Sequence, residues 1–124
     1  DHDAVVTLTA ARVGDDGALV VVDGPLDYHA TEELGDLLAE LSESGASRIA
    51  IDLERASPVD DATIGVLFRA LRAARDAGGA LAIGAPELRL RDALATMGVD
   101  RVLRVADTRA DALEALGLET PDGW

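Results

Sequence analysis

Asp60 and Asp61 stand side by side where an apolar run gives way to helical spacing, within SPVDDATIGVL at positions 57–67. Adjacent carboxylates at such a junction suit four kinds of chemistry: a hard-cation site, an acid/base pair, a helix cap or a charged contact surface. As a cap, either carboxylate can accept hydrogen bonds from free N–H groups in the first helical turn. It also gains about 0.3–1 kcal/mol from the positive end of the helix dipole when exposed. Capping alone would account for the pair without any partner.

The other chemistries ask for more. A hard cation needs several oxygen ligands converging on one point. Asp27, Asp52, Asp60 and Asp61 all fall near the edges of expected strands, which is the raw material for a weak Mg²⁺ site. An acid-rich chain produces such groupings by chance, however, and no metal is expected. Carboxylates that hydrolyse a substrate face each other across it, and adjacent residues need not. No G-x-S-x-G, P-loop or G-x-G-x-x-G occurs. The chain has no Cys, so thiolate catalysis, Cys-bound metal and disulfides are excluded. All 11 basic residues are Arg, which removes Lys as a catalyst. His2 lies in the terminus, and His29 reads as a surface residue at the start of the first helix. A phospho-accepting receiver domain carries its acid pair after the first strand and a Lys near its end. Here the pair follows the third strand and Lys is absent, so that reading fails. No enzyme and no cofactor are expected.

Bulk properties set the scale. A chain of 124 residues with 48% apolar content can bury one sizeable core as a single domain. One Phe, one Tyr and one Trp leave that core to Leu, Val, Ile and Ala. Acids outnumber bases 24 to 11, a formal net charge of −13. That field repels phosphate backbones and anionic lipid, so neither nucleic acid nor a membrane is expected as partner. It suits a protein with a basic face. No apolar run approaches the ~18 residues of a membrane span, and no signal-peptide pattern is visible. A cytoplasmic protein is expected.

The elements that must position the pair follow from periodicity. AVVTLTA (4–10) and ALVVVDG (18–24) are rich in β-branched residues, and GDDG (14–17) between them signals a hairpin. Leu34, Leu37, Leu38 and Leu41 recur at i, i+3, i+4 and i+7, one face of a helix. Thr31 is placed to begin it and Gly45 to end it. RIAIDL (48–53) reads as a central buried strand. Ile64, Leu67, Phe68, Leu71 and Ala74 then mark a second helix from Ala62 to Ala77, with Arg69, Arg72 and Arg75 on the opposite face and Gly78-Gly79 after it. ALAIG (80–84) is a strand. APELRLRDALATMG is a helix with Pro86 in its first turn. RVLRVA (101–106) is a last strand, and a final helix opens at Asp107 or Thr108. The order β-β-α-β-α-β-α-β-α implies a single α/β domain: a mostly parallel sheet of about five strands with an N-terminal hairpin, packed by about four helices.

Several landmarks together carry a resemblance. Gly24, Leu26 and Asp27 form G-x-L-D after the second strand, and D-L (Asp52, Leu53) closes the third. The apolar-D-D-A-T-I-G-V-L segment opens the second helix, Gly78-Gly79 precedes the fourth strand, and Leu94, Gly98, Val99, Asp100, Arg101 and Val102 form L-x-x-x-G-V-D-R-V. In this order and spacing, from about Val5 to Leu116, the chain resembles the STAS domain of bacterial anti-sigma factor antagonists. The expected division is a domain over 1–118 and a tail over 119–124.

The resemblance implies a switch without catalysis. The unphosphorylated antagonist binds a kinase-like, ATP-binding anti-sigma factor and so frees a sigma factor. Phosphorylation of a D-S-S motif breaks the complex, because the phosphate adds about −1.5 to −2 charge at the contact surface. Matched to that motif, Asp60 is the leading acid, Asp61 and Ala62 occupy the two serine positions, and Thr63 replaces a Gly. Asp27, Asp60, Asp61, Ala62 and Thr63 are therefore the expected partner-binding surface. Two consequences compete. Asp61 could imitate the modified state with a permanent charge, or Ala62 could leave an antagonist that cannot be switched off. Thr63 could accept phosphate in their stead only from a point roughly 100° further around the helix. The alternative role is a STAS subunit of a larger assembly, such as a lipid-transport or stress-sensing complex, bound to other STAS proteins, or a transporter tail. A ligand sensor ranks below both, since no glycine loop cradles a phosphate.

Overall fold

The β-rich and helix-periodic segments alternate along the chain as the spacing predicts. The computed structural model describes residues 5–124, and His2 lies outside them. Strands β1 (Thr7–Val13) and β2 (Gly17–Asp23) precede helix α1 (Tyr28–Glu43). Then come β3 (Arg48–Arg55), α2 (Ala62–Asp76), β4 (Ala80–Gly84), α3 (Leu88–Thr96), a 3-10 turn (Val99–Arg101), β5 (Arg104–Ala106) and α4 (Arg109–Ala115). The sheet order is β1-β2-β3-β4-β5, with β1 antiparallel to β2 and every other pair parallel. Parallel pairing sends the loops after β2, β3 and β4 to one edge, and that edge carries the acid pair.

Strand alternation sorts the core between the two faces of the sheet. Val20, Ile51 and Ile83 point toward α1, α2 and α3, against Leu34, Leu67 and Leu94. Each such fully buried Leu or Ile contributes about 1.5–3 kcal/mol. The other face carries the small residues Ala50 and Ala82, which let α4 close over the sheet through Ala112 and Leu113. Asp52 on β3 is the one buried charged side chain among the described residues, and its Oδ2 accepts from Nε of Arg109 on α4 at 2.9 Å. Gly79 is required by contact rather than by turn geometry alone: a Cβ there would lie 1.9 Å from the carbonyl oxygen of Ser47. Among the described residues, no helix is long and apolar enough to cross a membrane.

Several boundaries differ from the periodicity, and β3 runs on to Arg55 past the expected Leu53. β1 runs to Val13 rather than ending at Ala10, because Arg12 at its end donates to the carbonyls of Gly17 and Asp15 and holds the hairpin closed. α1 begins at Tyr28 and not at Thr31, since Asp27 caps it and Thr31 is buried within it. Pro86 precedes α3, whose N-cap position is Glu87. The last strand keeps only Arg104–Ala106, because Val99–Arg101 closes a 3-10 turn.

Candidate functional site

Three loops meet at the C-terminal edge of the sheet. Leu26 pairs with Val59 as an isolated parallel bridge. Its N–H donates to the Pro58 carbonyl at 2.9 Å, and its carbonyl accepts from the Asp60 N–H at 2.8 Å. The β2–α1 loop is thereby zipped to the β3–α2 loop, bringing the Asp27 segment beside Asp60. Gly24 enters that loop at φ +125°, a conformation open to glycine at little cost. A third segment holds the other side. The Val59 N–H donates to Oε1 of Glu87 at 2.8 Å, and Arg89 donates to the Val59 carbonyl. The start of α3 thus grips both backbone groups of Val59, whose side chain is buried.

On this fixed backbone the acids divide their duties. Asp27 Oδ1 accepts from the Ala30 N–H at 2.8 Å and caps α1. Asp60 Oδ1 accepts from the Ala62 N–H at 2.8 Å, satisfying one of the free donors at the start of α2. Asp61 makes no side-chain cap bond; its Oδ1 accepts from Nη1 of Arg89 at 3.0 Å. Of the two acids, then, Asp60 caps, and Asp61 is the one left to solvent. The Asp61–Arg89 pair is 85% and 63% exposed at its two side chains, so it is worth little to stability.

The next two positions are different again. Ala62 is half-buried. Thr63 is 0% exposed, and its Oγ1 lies 3.1 Å from Oγ1 of Thr31, bridging α2 to α1. In this arrangement a phosphoryl donor has no path to either hydroxyl. The structure therefore brings Asp27, Asp60 and Asp61 to one exposed edge and turns Thr63 inward. Asp52, grouped with them by its place near a strand end, projects from the opposite side of the edge into its pair with Arg109. Among the described residues, no cluster of three or more His, Asp or Glu could hold a metal.

Residues the sequence did not flag complete the surface. Tyr28 is 62% exposed and Leu88 is 71% exposed, two large apolar side chains at the starts of α1 and α3. Glu87 and Arg89 act on a loop 28 to 30 residues away. Only the run of Glu, Leu and Arg immediately after Pro86, with an apolar residue off the helical stripe, hinted at them. His29 is a surface residue whose Nε2 lies 3.9 Å from Glu33.

Comparison with known proteins fits this geometry. The family model described as the STAS domain matches residues 9–112. A Thermotoga neapolitana protein assigned as an anti-sigma factor antagonist is 28% identical over 75 residues, which is 60% of this chain and 66% of that protein. The match therefore spans just under two thirds of that relative's length. Among solved structures, an anti-sigma factor antagonist from Mycobacterium paratuberculosis superimposes with a TM-score of 0.78 at 18% identity, covering 91% of this chain and 95% of that one. The phosphorylated form of the Bacillus cell fate determinant SpoIIAA gives 0.74 at 18% identity, covering 88% and 98%. These structural likenesses establish the fold.

Proposed function

This chain belongs to the STAS domain family, and from that premise we propose that it is a non-catalytic antagonist that docks on a kinase-like anti-sigma factor and releases a sigma factor. The observation that carries the reading is the exposed edge that groups Asp27, Asp60, Asp61 and Arg89, with exposed Tyr28 next in sequence to Asp27 and exposed Leu88 next to Arg89. Exposed apolar groups supply contact area, and fixed carboxylates supply complementarity to a basic partner surface. The backbone bonds of Leu26 with Pro58 and Asp60, and the bond from the Val59 N–H to the Glu87 carboxylate, hold that surface ready before binding, which lowers the ordering cost of association.

The same surface is proposed to work without a phosphorylation switch. Asp61 and Ala62 stand at the motif's hydroxyl positions, and the Thr63 hydroxyl is buried against Thr31. Between the two competing consequences, the Arg89 contact favours the antagonist that cannot be switched off. A charge met in cis by a guanidinium is a poor imitation of a free phosphate.

The test is incubation of the protein with ATP and a purified kinase-type anti-sigma factor from the same organism. An unchanged intact mass together with a stable complex is expected. A phosphate on Thr63, or on the exposed Ser57 or Tyr28, would overturn the acceptorless reading. Asp61→Ser separates the two consequences: unchanged affinity is expected, whereas tighter binding would mean that Asp61 mimics the modified state.

A further inference from the structure

A second surface lies on the other half of α2 and is opposite in character. Phe68 and Leu71 on α2 and Val99 and Val102 around the 3-10 turn line an open groove of about 450 Å³. Arg72 and Arg75 stand on its rim with Asp76. The floor is mostly hydrocarbon, and Val102 remains exposed at its edge. Phe68 is the chain's only Phe and is just partly buried here.

The charges around the groove are unusual for this molecule. Acids outnumber arginines 24 to 11, and most arginines are engaged. Arg48, Arg89, Arg91 and Arg109 meet carboxylates, and Arg12 and Arg104 meet backbone carbonyls. Among the described residues, Arg72 and Arg75 have no hydrogen-bond or ion-pair partner, and neither do Arg55, Arg69 and Arg101 outside the groove. Of these five, Arg72 and Arg75 are the two that stand together beside this apolar trough, the combination a site for an acidic ligand requires.

We propose that this groove docks an acidic amphipathic helix of a partner protein. Apolar side chains at i and i+3 or i+4, about 5–6 Å apart, would occupy the trough over Phe68, Leu71, Val99 and Val102. Flanking carboxylates would pair with Arg72 and Arg75, whose planar forks suit two-point contacts. The net charge of −13 opposes such a ligand at long range. At physiological salt that repulsion is screened beyond about 8 Å, while the contact pairs are not. From Ala62 to Arg72 along α2 is ~15 Å, so this site and the acidic edge are separate, and the inference does not rest on the proposed function.

The test uses a fluorescein-labelled helical peptide with Leu at i, i+3, i+4 and i+7 and Glu at the flanking positions. A second peptide with Lys in place of every Glu is the control. Anisotropy titration of the intact protein should detect the Glu peptide, and backbone amide shifts should map it to Phe68, Arg72, Arg75, Val99 and Val102. The exposed double substitution Arg72→Glu/Arg75→Glu should weaken it by about tenfold or more, the effect of reversing two contact charges. Unchanged circular dichroism of that variant establishes that it folds, and Val102→Ser gives an independent loss through the apolar floor. Shifts that map elsewhere, equal or tighter binding of the Lys peptide at this groove, or no loss in either variant would overturn the proposal. So would a self-association, seen by sedimentation, that the double variant abolishes, since the groove would then belong to a second copy of this chain.

Discussion

The two ends of α2 differ in every property that governs recognition. At its start, acidic side chains sit on a backbone tied to two other loops, and the inward hydroxyl of Thr63 meets Thr31. Along its second half, Arg72 and Arg75 stand over an apolar trough beside a single carboxylate, Asp76, with which neither forms an ion pair among the described residues. Part of this polarity is generic, because a helix dipole favours acids at the start and bases in the last turn. Arg75 lies in the last turn. Arg72 lies before it, where the dipole has faded. The lesson is that one helix of 15 residues presents two surfaces of opposite sign, and the dipole explains only part of the contrast.

The contrast can be strained first at Thr63. Thr63→Glu forces a carboxylate between α1 and α2 and should destabilise the fold by about 3 kcal/mol or more in urea unfolding, the scale of an uncompensated buried charge. Thr63→Val leaves the Thr31 hydroxyl unpaired and should cost about 1–3 kcal/mol. The Thr31→Val/Thr63→Val double variant should recover most of that loss. A stable, unchanged Thr63→Glu protein would mean that the acidic end has no inward side.

Asp60→Ala removes the bond to the Ala62 N–H and should cost ~1 kcal/mol in the same unfolding measurement. Its neighbour should behave differently: Asp61→Ala, which loses only the exposed pair with Arg89, should stay within about 0.5 kcal/mol of the parent. Arg72→Ala/Arg75→Ala should likewise leave stability within about 0.5 kcal/mol per site, so any binding change there reads recognition alone.

The smallest effect concerns neither end of α2. The Arg48 guanidinium beside Asp16 holds that carboxyl below its ordinary 3.8. A carboxyl with a lowered folded value contributes stability that is intact above the ordinary range and is lost as pH falls through the lowered value. Asp16→Asn should therefore be slightly less stable than the parent at neutral pH. The difference should vanish only below pH 3.8, in parallel acid titrations followed by circular dichroism.

Much of this was legible in the sequence, and what was not has physical reasons. Leu34, Leu38, Leu67 and Leu71 are buried where their spacing placed them, and β4 occupies Ala80–Gly84 as read. Thr31 misled because it is as good a cap by type as Asp27; its hydroxyl is claimed by a residue 32 positions away. Arg69, Arg72 and Arg75 are all exposed, but they do not share one surface. Arg69 lines the α1–α2 groove, while Arg72 and Arg75 line the other, because neighbouring elements divide the outer face of α2. The acid pair itself was visible, yet its division of labour was not. Asp60 caps on a backbone held by its N–H bond to the Leu26 carbonyl, while Asp61 already has helical φ and ψ of −60° and −24°, and only the tertiary fold fixes that arrangement.

An acidic docking edge with no phosphate switch is tested most directly by calorimetric titration with the anti-sigma factor. The protein would be titrated before and after incubation with that factor and ATP, with the intact mass recorded both times. The same affinity and the same mass are expected on both occasions, with binding weakened by Asp60→Arg. A gain of phosphate accompanied by loss of binding would contradict that expectation.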